Sequence, residues 1–406
     1  MPGVAHAGSI REVIAGPDVA RTFALALVGR LSYGLLPLCL LFTVRDSSGS
    51  FAVAAASSAA VGIATLAMPV QARLVDRWGQ RRVLPWYALL YAALLGAAAL
   101  LAGTTPPDAV WVATGLFLGL CAPALGPAMR AQWREIAPEG PPRRIAYSID
   151  SVAEESLYLV GPLAAGVVLA TGPARVGLFL AAGLILVGTA GLVTSPYVPA
   201  PAAPASVPRT RGLGVLRQPG LGVLLLVMVA AGASGATCLI GVAAIADDAG
   251  VPGAVGAVEA GMAVGAILAG LAWARLRRDL AWPAALGLLL TVSCLAQAGA
   301  AVAAPHLVLV SVLLVAVGAA AAPVYVVAFT GADSLVDPEQ RTEASTWVST
   351  ALNGGNAAGT ALAGLLLVVG AAAPFVVAAL LSAVAAGTAL ARAVRSRRST
   401  GRPARC

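Results

Sequence analysis

Lysine is absent from the sequence, histidine occurs only twice, and charged residues make up 11% of the 406 residues. Soluble domains carry about 25% charged residues, so a chain that is 59% hydrophobic has too much apolar surface for a water-soluble fold. The five cysteines lack the spacing of a metal site or a disulfide framework, and we interpret them as small packing residues. The sequence also has no nucleotide-binding P-loop and no nucleophile set. Neither an ATP-driven pump nor an enzyme is therefore expected, and no cofactor or metal.

Apolar runs of about 20 residues recur along the whole chain, and each is long enough as a helix to cross a hydrocarbon core of roughly 30 Å. They predict an all-α polytopic membrane protein with twelve transmembrane helices. The predicted spans lie at about 19–42, 51–71, 83–103, 109–130, 145–170, 175–195, 220–245, 253–273, 281–304, 307–332, 342–368 and 372–393.

The 26 arginines indicate how these spans are oriented. If the N-terminus is cytoplasmic, only Arg45 and Arg175 fall outside and Arg30 falls within a span, while all other arginines lie in cytoplasmic loops and tails. This is the positive-inside rule, and it predicts a multi-pass protein of the plasma (inner) membrane with both termini in the cytoplasm. The formal charge of +8 therefore reflects topology and contact with lipid headgroups, not nucleic-acid binding.

A segment rich in Pro, Ala and Arg at 196–219 divides the chain into two halves and is expected to be a semi-rigid cytoplasmic linker. A shift of 198 residues places Gly161 on Gly359 and Gly166 on Gly364, which indicates an internal repeat. The predicted domains are a cytoplasmic tail at 1–18, six-helix bundles at 19–195 and 220–393, and a basic cytoplasmic tail at 394–406.

A charged hinge at 72–82, Ala-Arg-Leu-Val-Asp-Arg-Trp-Gly-Gln-Arg-Arg, joins the second and third spans. It resembles the signature loop of the major facilitator superfamily of secondary transporters, with Ala72 in place of the usual glycine and Gln80 in place of one basic residue. The resemblance covers essentially the whole chain. It implies two pseudo-symmetric six-helix bundles that give alternating access to a central site, in a drug- or metabolite-efflux member of bacterial, actinobacterial type.

The resemblance also implies that the charged hinge is a state-dependent latch. Its residues are Asp76, Arg77, Gly79, Arg81 and Arg82. Asp76 would lie near Thr342, where the positive end of the eleventh helix stabilises an anion, and Arg77 or Arg81 would pair with Glu135. Arg81 and Arg82 also supply inner-face charge that sets topology.

A short motif in the fifth span, Gly161-Pro162 followed by Gly166, resembles the Gly-Pro motif of exchangers in this superfamily. Leu157 and Val167 replace two of the glycines of that motif. The motif favours antiport, and close helix packing explains the same small residues equally well.

Three carboxylates in the fifth span, Asp150, Glu154 and Glu155, are candidate proton-coupling groups. Ionisable groups inside a bilayer cost about 2.5–3.5 kcal/mol each, so they mark transport pathways by default. A carboxylate in apolar surroundings can bind and release a proton near neutral pH. The alternative is that these groups pair internally with Arg30, and Asp150 can also reach the cytoplasmic headgroups.

The internal repeat favours one of the two glutamates. Ser349, Asn353 and Asn356 form a polar stripe on the eleventh span, and the shift of 198 residues places Asn353 on Glu155 and Asn356 on Tyr158. This correspondence turns Glu155 towards a central cavity, so Glu155 is the first candidate and Glu154 the second. The predicted substrate-cavity residues are Arg30, Tyr158, Ser349, Asn353, Asn356 and Glu259.

Two of these cavity residues have alternative interpretations. Arg30 either forms an ion pair with Glu155 or binds an anionic group of the substrate, because a lone buried arginine would be too costly. Glu259 is either a secondary site in the second bundle or an interfacial residue that reaches the membrane surface.

These features together predict proton-coupled export of a small amphipathic molecule by a monomer, with the proton gradient as the energy source. Spans rich in Ala and Gly with few polar cavity groups suit a permissive apolar pocket better than a sugar site. The expected partners are the substrate, protons and the lipid bilayer. The alternatives are proton-coupled uptake of a small solute and, from another class, a non-transporting membrane scaffold or sensor.

Overall fold

The structure is a computed structural model that describes residues 16–64, 67–138, 141–200, 215–275, 280–336 and 341–400. Within those ranges the α-helices are α1 (Pro17–Ser48), α2 (Phe51–Ala64), α3 (Met68–Trp78), α4 (Gln80–Leu101), α5 (Asp108–Cys121), α6 (Leu125–Ile136), α7 (Pro141–Thr171), α8 (Arg175–Val193), α9 (Leu221–Asp248), α10 (Ala254–Arg275), α11 (Trp282–Ala303), α12 (Leu307–Leu335), α13 (Arg341–Leu366) and α14 (Ala373–Thr400). Most of the predicted N-terminal tail and linker, and residues 401–406, lie outside the described residues.

These helices form twelve membrane spans because the second and fourth spans are each built from two helices. Span 2 consists of α2 and the start of α3, whose later residues are the helical first part of the charged hinge, and span 4 consists of α5 and α6. Among the described residues, ten helices are long and apolar enough to cross a membrane when α5 and α6 are taken together. The other two spans contain α2, which is a shorter apolar helix, and α13, which carries several polar residues. The predicted all-helical, twelve-span architecture is confirmed.

The chain divides into two compact units, unit 1 up to residue 208 and unit 2 from residue 209. In unit 1, α1 packs against α7 and α8, α2 against α5, and α4 against α8. In unit 2, α9 packs against α13 and α14, α10 against α12, and α11 against α14. The first span of each unit thus packs against the fifth and sixth, the second against the fourth, and the third against the sixth. This equivalence confirms the internal repeat at the level of helix packing.

Each unit has a buried core of its own. The core of unit 1 includes Leu35, Leu38, Tyr91, Leu95, Trp111, Leu118 and Trp133. The core of unit 2 includes Leu221, Leu224, Met228, Leu286, Leu290 and Val324. Membrane helices associate through close packing more than through the hydrophobic effect, because lipid tails are as apolar as the side chains.

Glycines provide that close packing at equivalent places in the two units. A Cβ atom added at Gly161 would lie 2.5 Å from the Cα atom of Gly34, so α7 and α1 meet backbone to backbone. A Cβ atom added at Gly359 would lie 2.2 Å from the carbonyl oxygen of Ala233, so α13 meets α9 in the same way. The glycine pair that indicated the repeat in the sequence therefore makes the same helix contact in each unit.

Candidate functional site

Four charged side chains from spans 1, 4 and 5 meet inside unit 1. Arg30 on α1 donates a hydrogen bond of 2.9 Å to Oδ1 of Asp150 on α7. Arg130 on α6 lies 3.6 Å from Oδ2 of Asp150 and donates a hydrogen bond of 3.0 Å to Oε2 of Glu154. We call Arg30, Arg130, Asp150 and Glu154 the charge cluster. It joins three spans of one unit through ion pairs.

Burial divides the charge cluster into a buried end, formed by Arg30 and Asp150, and a more exposed end, formed by Arg130 and Glu154, which we call the open end. The side chains of Arg30 and Asp150 are 3% and 1% exposed, whereas those of Arg130 and Glu154 are 44% and 35% exposed. Asp150 and Glu154 are one helical turn apart on α7 and share a face. Arg30 and Glu154 each lie about 20 Å along their helices from the first residue, which puts the cluster well inside the spans.

The charges alternate along the row from Arg30 to Asp150, Arg130 and Glu154. Two arginines balance two carboxylates, so the charge cluster is neutral when both carboxylates are ionised. A proton on either carboxylate leaves one uncompensated positive charge and removes an acceptor from Arg130. The charge cluster is thus balanced only when both carboxylates are ionised, and its open end at Glu154 is the more exposed part.

A break in span 4 positions Arg130. α5 ends at Cys121 and α6 begins at Leu125, so residues 122–124 between them are not helical. Pro127 has no N–H group for the carbonyl oxygen of Pro123, four residues earlier, and that oxygen instead accepts a hydrogen bond of 2.9 Å from the N–H group of Leu125. Unpaired backbone groups are tolerated at membrane depth only where other protein groups satisfy them.

Side chains from neighbouring spans satisfy the carbonyl groups at this break. Tyr33 on α1 donates a hydrogen bond to the carbonyl oxygen of Pro123. Gln71 on α3 donates to the carbonyl oxygen of Ala122 at 2.9 Å. Arg30 donates a longer hydrogen bond of 3.4 Å to the carbonyl oxygen of Gly126. Arg30 therefore links the charge cluster to the second residue of α6, directly after the break.

The partner of Arg30 is Asp150. The sequence left open whether the carboxylates of span 5 pair with Arg30, whether Glu155 does so, or whether Arg30 binds an anionic group of the substrate. Asp150 does not extend to the headgroups, because its side chain is buried between two arginines. Glu154 faces Arg130 at the open end. The side chains of Glu155 and Tyr158 lie outside the described part of the chain.

Arg130 is the member of the charge cluster that the sequence analysis did not single out. It was counted among the cytoplasmic arginines because the fourth apolar run ends there. The available signal was Pro127, because a proline is tolerated in the first turn of a helix. A helix that restarts just before Pro127 continues the span and carries Arg130 inside it.

The remaining cavity candidates lie in unit 2. Ser349 is half-buried on α13, and Asn353 and Asn356 are exposed further along the same helix. Thr360, one turn later, donates to the carbonyl oxygen of Asn356. Glu259 is half-buried on α10 and is not part of the charge cluster.

The charged hinge of unit 1 turns at a glycine. Gly79 separates α3 from α4 with φ of 84° and ψ of 152°, a region that only glycine populates freely. Arg81 donates 3.1 Å to the carbonyl oxygen of Ser195 after α8, and the guanidinium of Arg77 lies 5.9 Å from the ring centroid of Trp78. Arg82 is exposed.

Only some of the latch contacts expected for this hinge involve described side chains. In the described part of the chain, neither Arg77 nor Arg81 forms an ion pair with Glu135, which corrects that expectation. The reason is that Arg81 turns towards the C-terminal end of α8, where it binds a free carbonyl oxygen. The side chains of Asp76 and Thr342 lie outside the described residues.

The Gly-Pro motif of span 5 lies on the packed face of α7. Gly161 touches Gly34, and Pro162 and Gly166 are buried. Close packing of α1 and α7 is thus the contact that the motif makes within unit 1. Among the described residues, no three His, Cys, Asp or Glu side chains are grouped to hold a metal ion.

An all-helical chain with a six-span repeat, a charged hinge between spans 2 and 3, and ion pairs inside the first repeat has the features of a polytopic secondary transporter. The sequence matches the family model described as Major Facilitator Superfamily over residues 22–296. The chain belongs to the major facilitator superfamily, and it is a secondary transporter and not an enzyme.

Solved structures of low sequence identity have the same fold. A mutant of the nucleoside transporter NupG has a TM-score of 0.72 at 15% identity, with 92% of this chain and 98% of that chain covered. A bacterial homologue of the iron transporter ferroportin has a TM-score of 0.69 at 15% identity, with 92% of this chain and 97% of that chain covered. A mutant of the peptide transporter POT has a TM-score of 0.70 at 16% identity, with 93% of this chain and 94% of that chain covered. A search of curated protein sequences gave no match.

Proposed function

We propose that the chain exports a small amphipathic molecule in exchange for protons, by alternating access in a bacterial plasma membrane with both termini cytoplasmic. The observation that carries this proposal is the charge cluster, whose alternating charges extend from a buried ion pair to an open one. Groups of this kind inside a membrane serve as proton relays or substrate counter-ions in transporters.

Glu154 is the proton acceptor that the described contacts favour. Its carboxylate has Arg130 as its ion-pair partner and is partly exposed, so a proton can reach it without unpacking the unit. Asp150 is enclosed between Arg30 and Arg130 and is nearly fully buried, so it is less accessible to a proton than Glu154. Protonation of Glu154 would release Arg130 and leave Arg130 paired with Asp150 alone.

The composition of the spans favours one class of substrate. The spans are rich in Ala and Gly, and only 11% of the chain is charged, so an apolar ligand body meets few competing polar groups. A ligand with an apolar body and one polar or charged end would place that end at Arg130 and Glu154. A sugar would require many hydrogen-bonding side chains, which this composition does not supply.

The test compares transport by the wild type with three isosteric variants. An efflux-deficient bacterial host expresses the wild type, Glu154→Gln, Glu155→Gln or Glu135→Gln, and accumulation of a panel of labelled amphipathic compounds is measured with and without a protonophore. Glu135 is exposed at the end of α6 without an ion pair in the described structure, and it is the matched control. We expect wild type and Glu135→Gln to lower accumulation of at least one compound, and Glu154→Gln or the protonophore to abolish that effect.

Each other outcome has a defined meaning. Export that survives Glu154→Gln but not Glu155→Gln would transfer the coupling role to Glu155. Raised accumulation with the same protonophore sensitivity would replace export with proton-coupled uptake. Accumulation unchanged by the protein for every compound would contradict transport of amphipathic molecules and favour a scaffold or sensor.

A further inference from the structure

Glu259 is a carboxylate inside unit 2 that the charge cluster does not use. It lies in the second turn of α10, about 8 Å along the helix from Ala254. One turn further, Met262 touches α12 so closely that a Cβ atom added at Gly318 would lie 2.2 Å from the carbonyl oxygen of Met262. Residues three apart lie on roughly the same side of a helix, so Glu259 lies near the side of α10 that packs against α12. Its Oε1 atom is buried and has no hydrogen-bond partner among the described residues.

The helices that pack against α10 offer this carboxylate no positive partner. α10 packs mainly against α12 and more lightly against α9. The sequence contains no lysine, and positions 218–274 and 279–340, which include α9, α12 and nearly all of α10, contain no arginine. The titratable groups on α9 and α12 are Cys238, Asp247, Asp248, Tyr325 and Asp333, with His306 at the N-cap of α12. Of these groups only His306 can carry a positive charge, and in the described structure it forms no ion pair with Glu259.

An ionised carboxylate without a partner in apolar surroundings is far more costly than the neutral acid, so the group is expected to hold its proton. We propose that Glu259 is a second proton-binding site, which carries a proton in this conformation and exchanges it independently of the charge cluster. The chain would then bind protons at one site in each unit, at Glu154 and at Glu259. The proposal concerns proton binding alone and does not depend on the direction of transport or on the substrate.

A hydrophobic carbodiimide tests this site directly, because it reacts with protonated carboxyl groups in apolar surroundings. The full-length protein in lipid nanodiscs is treated over a range of pH, and the labelled peptides are identified by mass. We expect label on Glu259 at acidic and neutral pH, with less label as the pH rises. Asp248, which is exposed at the end of α9, is the matched control and should stay unlabelled. Absence of label on Glu259 at every pH, or label no greater than on Asp248, would overturn the proposal.

Thermal unfolding gives a second readout that does not depend on reagent access. If Glu259 is protonated in the folded protein, the folded state binds more protons than the unfolded chain above about pH 4.3, the ordinary pKa of glutamate. The stability of the wild type relative to Glu259→Gln should therefore fall as the pH rises. If the stability of the wild type and of Glu259→Gln changed in parallel with pH, a protonated Glu259 in the folded protein would be contradicted.

The outcomes also separate this site from the proposed function. Glu154→Gln should lose transport and keep the carbodiimide label on Glu259, because the two sites titrate independently. A transporting wild type without label at Glu259 would remove the second site and leave the exporter proposal intact. A protein that is labelled at Glu259 but transports nothing would keep the second site and contradict the exporter proposal.

Discussion

Substitution of Asp150 by Asn tests whether the buried ion pair with Arg30 holds spans 1 and 5 together. The substitution keeps the shape of the side chain and leaves the guanidinium of Arg30 beside a neutral amide, with both positions nearly fully buried. Removal of one partner of a buried pair costs about 3–5 kcal/mol because the remaining charge is uncompensated. The hydrogen bond from Arg30 to Gly126, at 3.4 Å, is too long to offset much of that loss. We therefore expect Asp150→Asn to lower the free energy of unfolding by about 3–5 kcal/mol.

The double variant Arg30→Leu with Asp150→Leu separates loss of the pair from loss of one charge. Replacement of a whole buried pair by apolar residues of similar volume is often neutral or stabilising. We expect the double variant to recover most of the stability that Asp150→Asn loses, although Tyr33 and Gln71 would then support the break in span 4 without Arg30.

The assay is reversible unfolding of the purified protein in mixed micelles, followed by helical circular dichroism. Asp46→Asn is the control, because Asp46 pairs with Arg45 at the surface, where ion pairs contribute about 0–1 kcal/mol. An Asp150→Asn protein as stable as the Asp46→Asn control would refute the reasoning. So would a double variant that is less stable than the single one, because the pair would then contribute more than mutual charge compensation.

Two further predictions concern glycines. Gly161→Val should abolish folding or strongly lower stability, because even a Cβ atom at this position lies 2.5 Å from the Cα atom of Gly34. Gly183→Val is the control and should be tolerated, because nothing lies within 4 Å of its new Cβ atom. The amount of monodisperse protein in detergent measures both effects. Gly79→Ala should lower the free energy of unfolding by about 1–3 kcal/mol, because its φ of 84° and ψ of 152° are strained for any residue with a Cβ atom. Gly172→Ala, in open space and without a positive φ, is the matched control, and thermal unfolding compares the two variants. Equal stability within either pair would contradict the corresponding prediction.

The sequence was informative wherever one physical constraint dominates. The length of each apolar run determines that it is a membrane helix, so the order of the spans was predictable. The charges at 72–82 cannot enter hydrocarbon, so the turn between spans 2 and 3 was predictable as well. Close packing at Gly161 was recognisable from a small residue in an apolar helix, although its partner Gly34 was not.

The ion pairs were harder to predict because they depend on how neighbouring helices are rotated against each other. Asp150 and Glu155 lie on different faces of α7, and the sequence alone gave no direct measure of which face meets α1. The contact between Gly161 and Gly34 brings α7 against α1, and Asp150 is the carboxylate that reaches Arg30 there. The repeat pointed to Glu155 through Asn353, but a correspondence between two halves carries no information about partners within one half.

The break in span 4 and the charge cluster are linked through Arg30. A broken helix persists inside a membrane only where other groups bind the carbonyl oxygens at the break. Tyr33 and Gln71 do so for Pro123 and Ala122, and Arg30 binds Gly126 at the start of α6. The break in turn allows α6 to begin again at Leu125 and to present Arg130 to Glu154. Arg30 links the two, since one of its nitrogens binds Asp150 and the other binds Gly126. A change of charge at Asp150 therefore acts on span 4 by two routes, through Arg130 directly and through the hold of Arg30 on the start of α6.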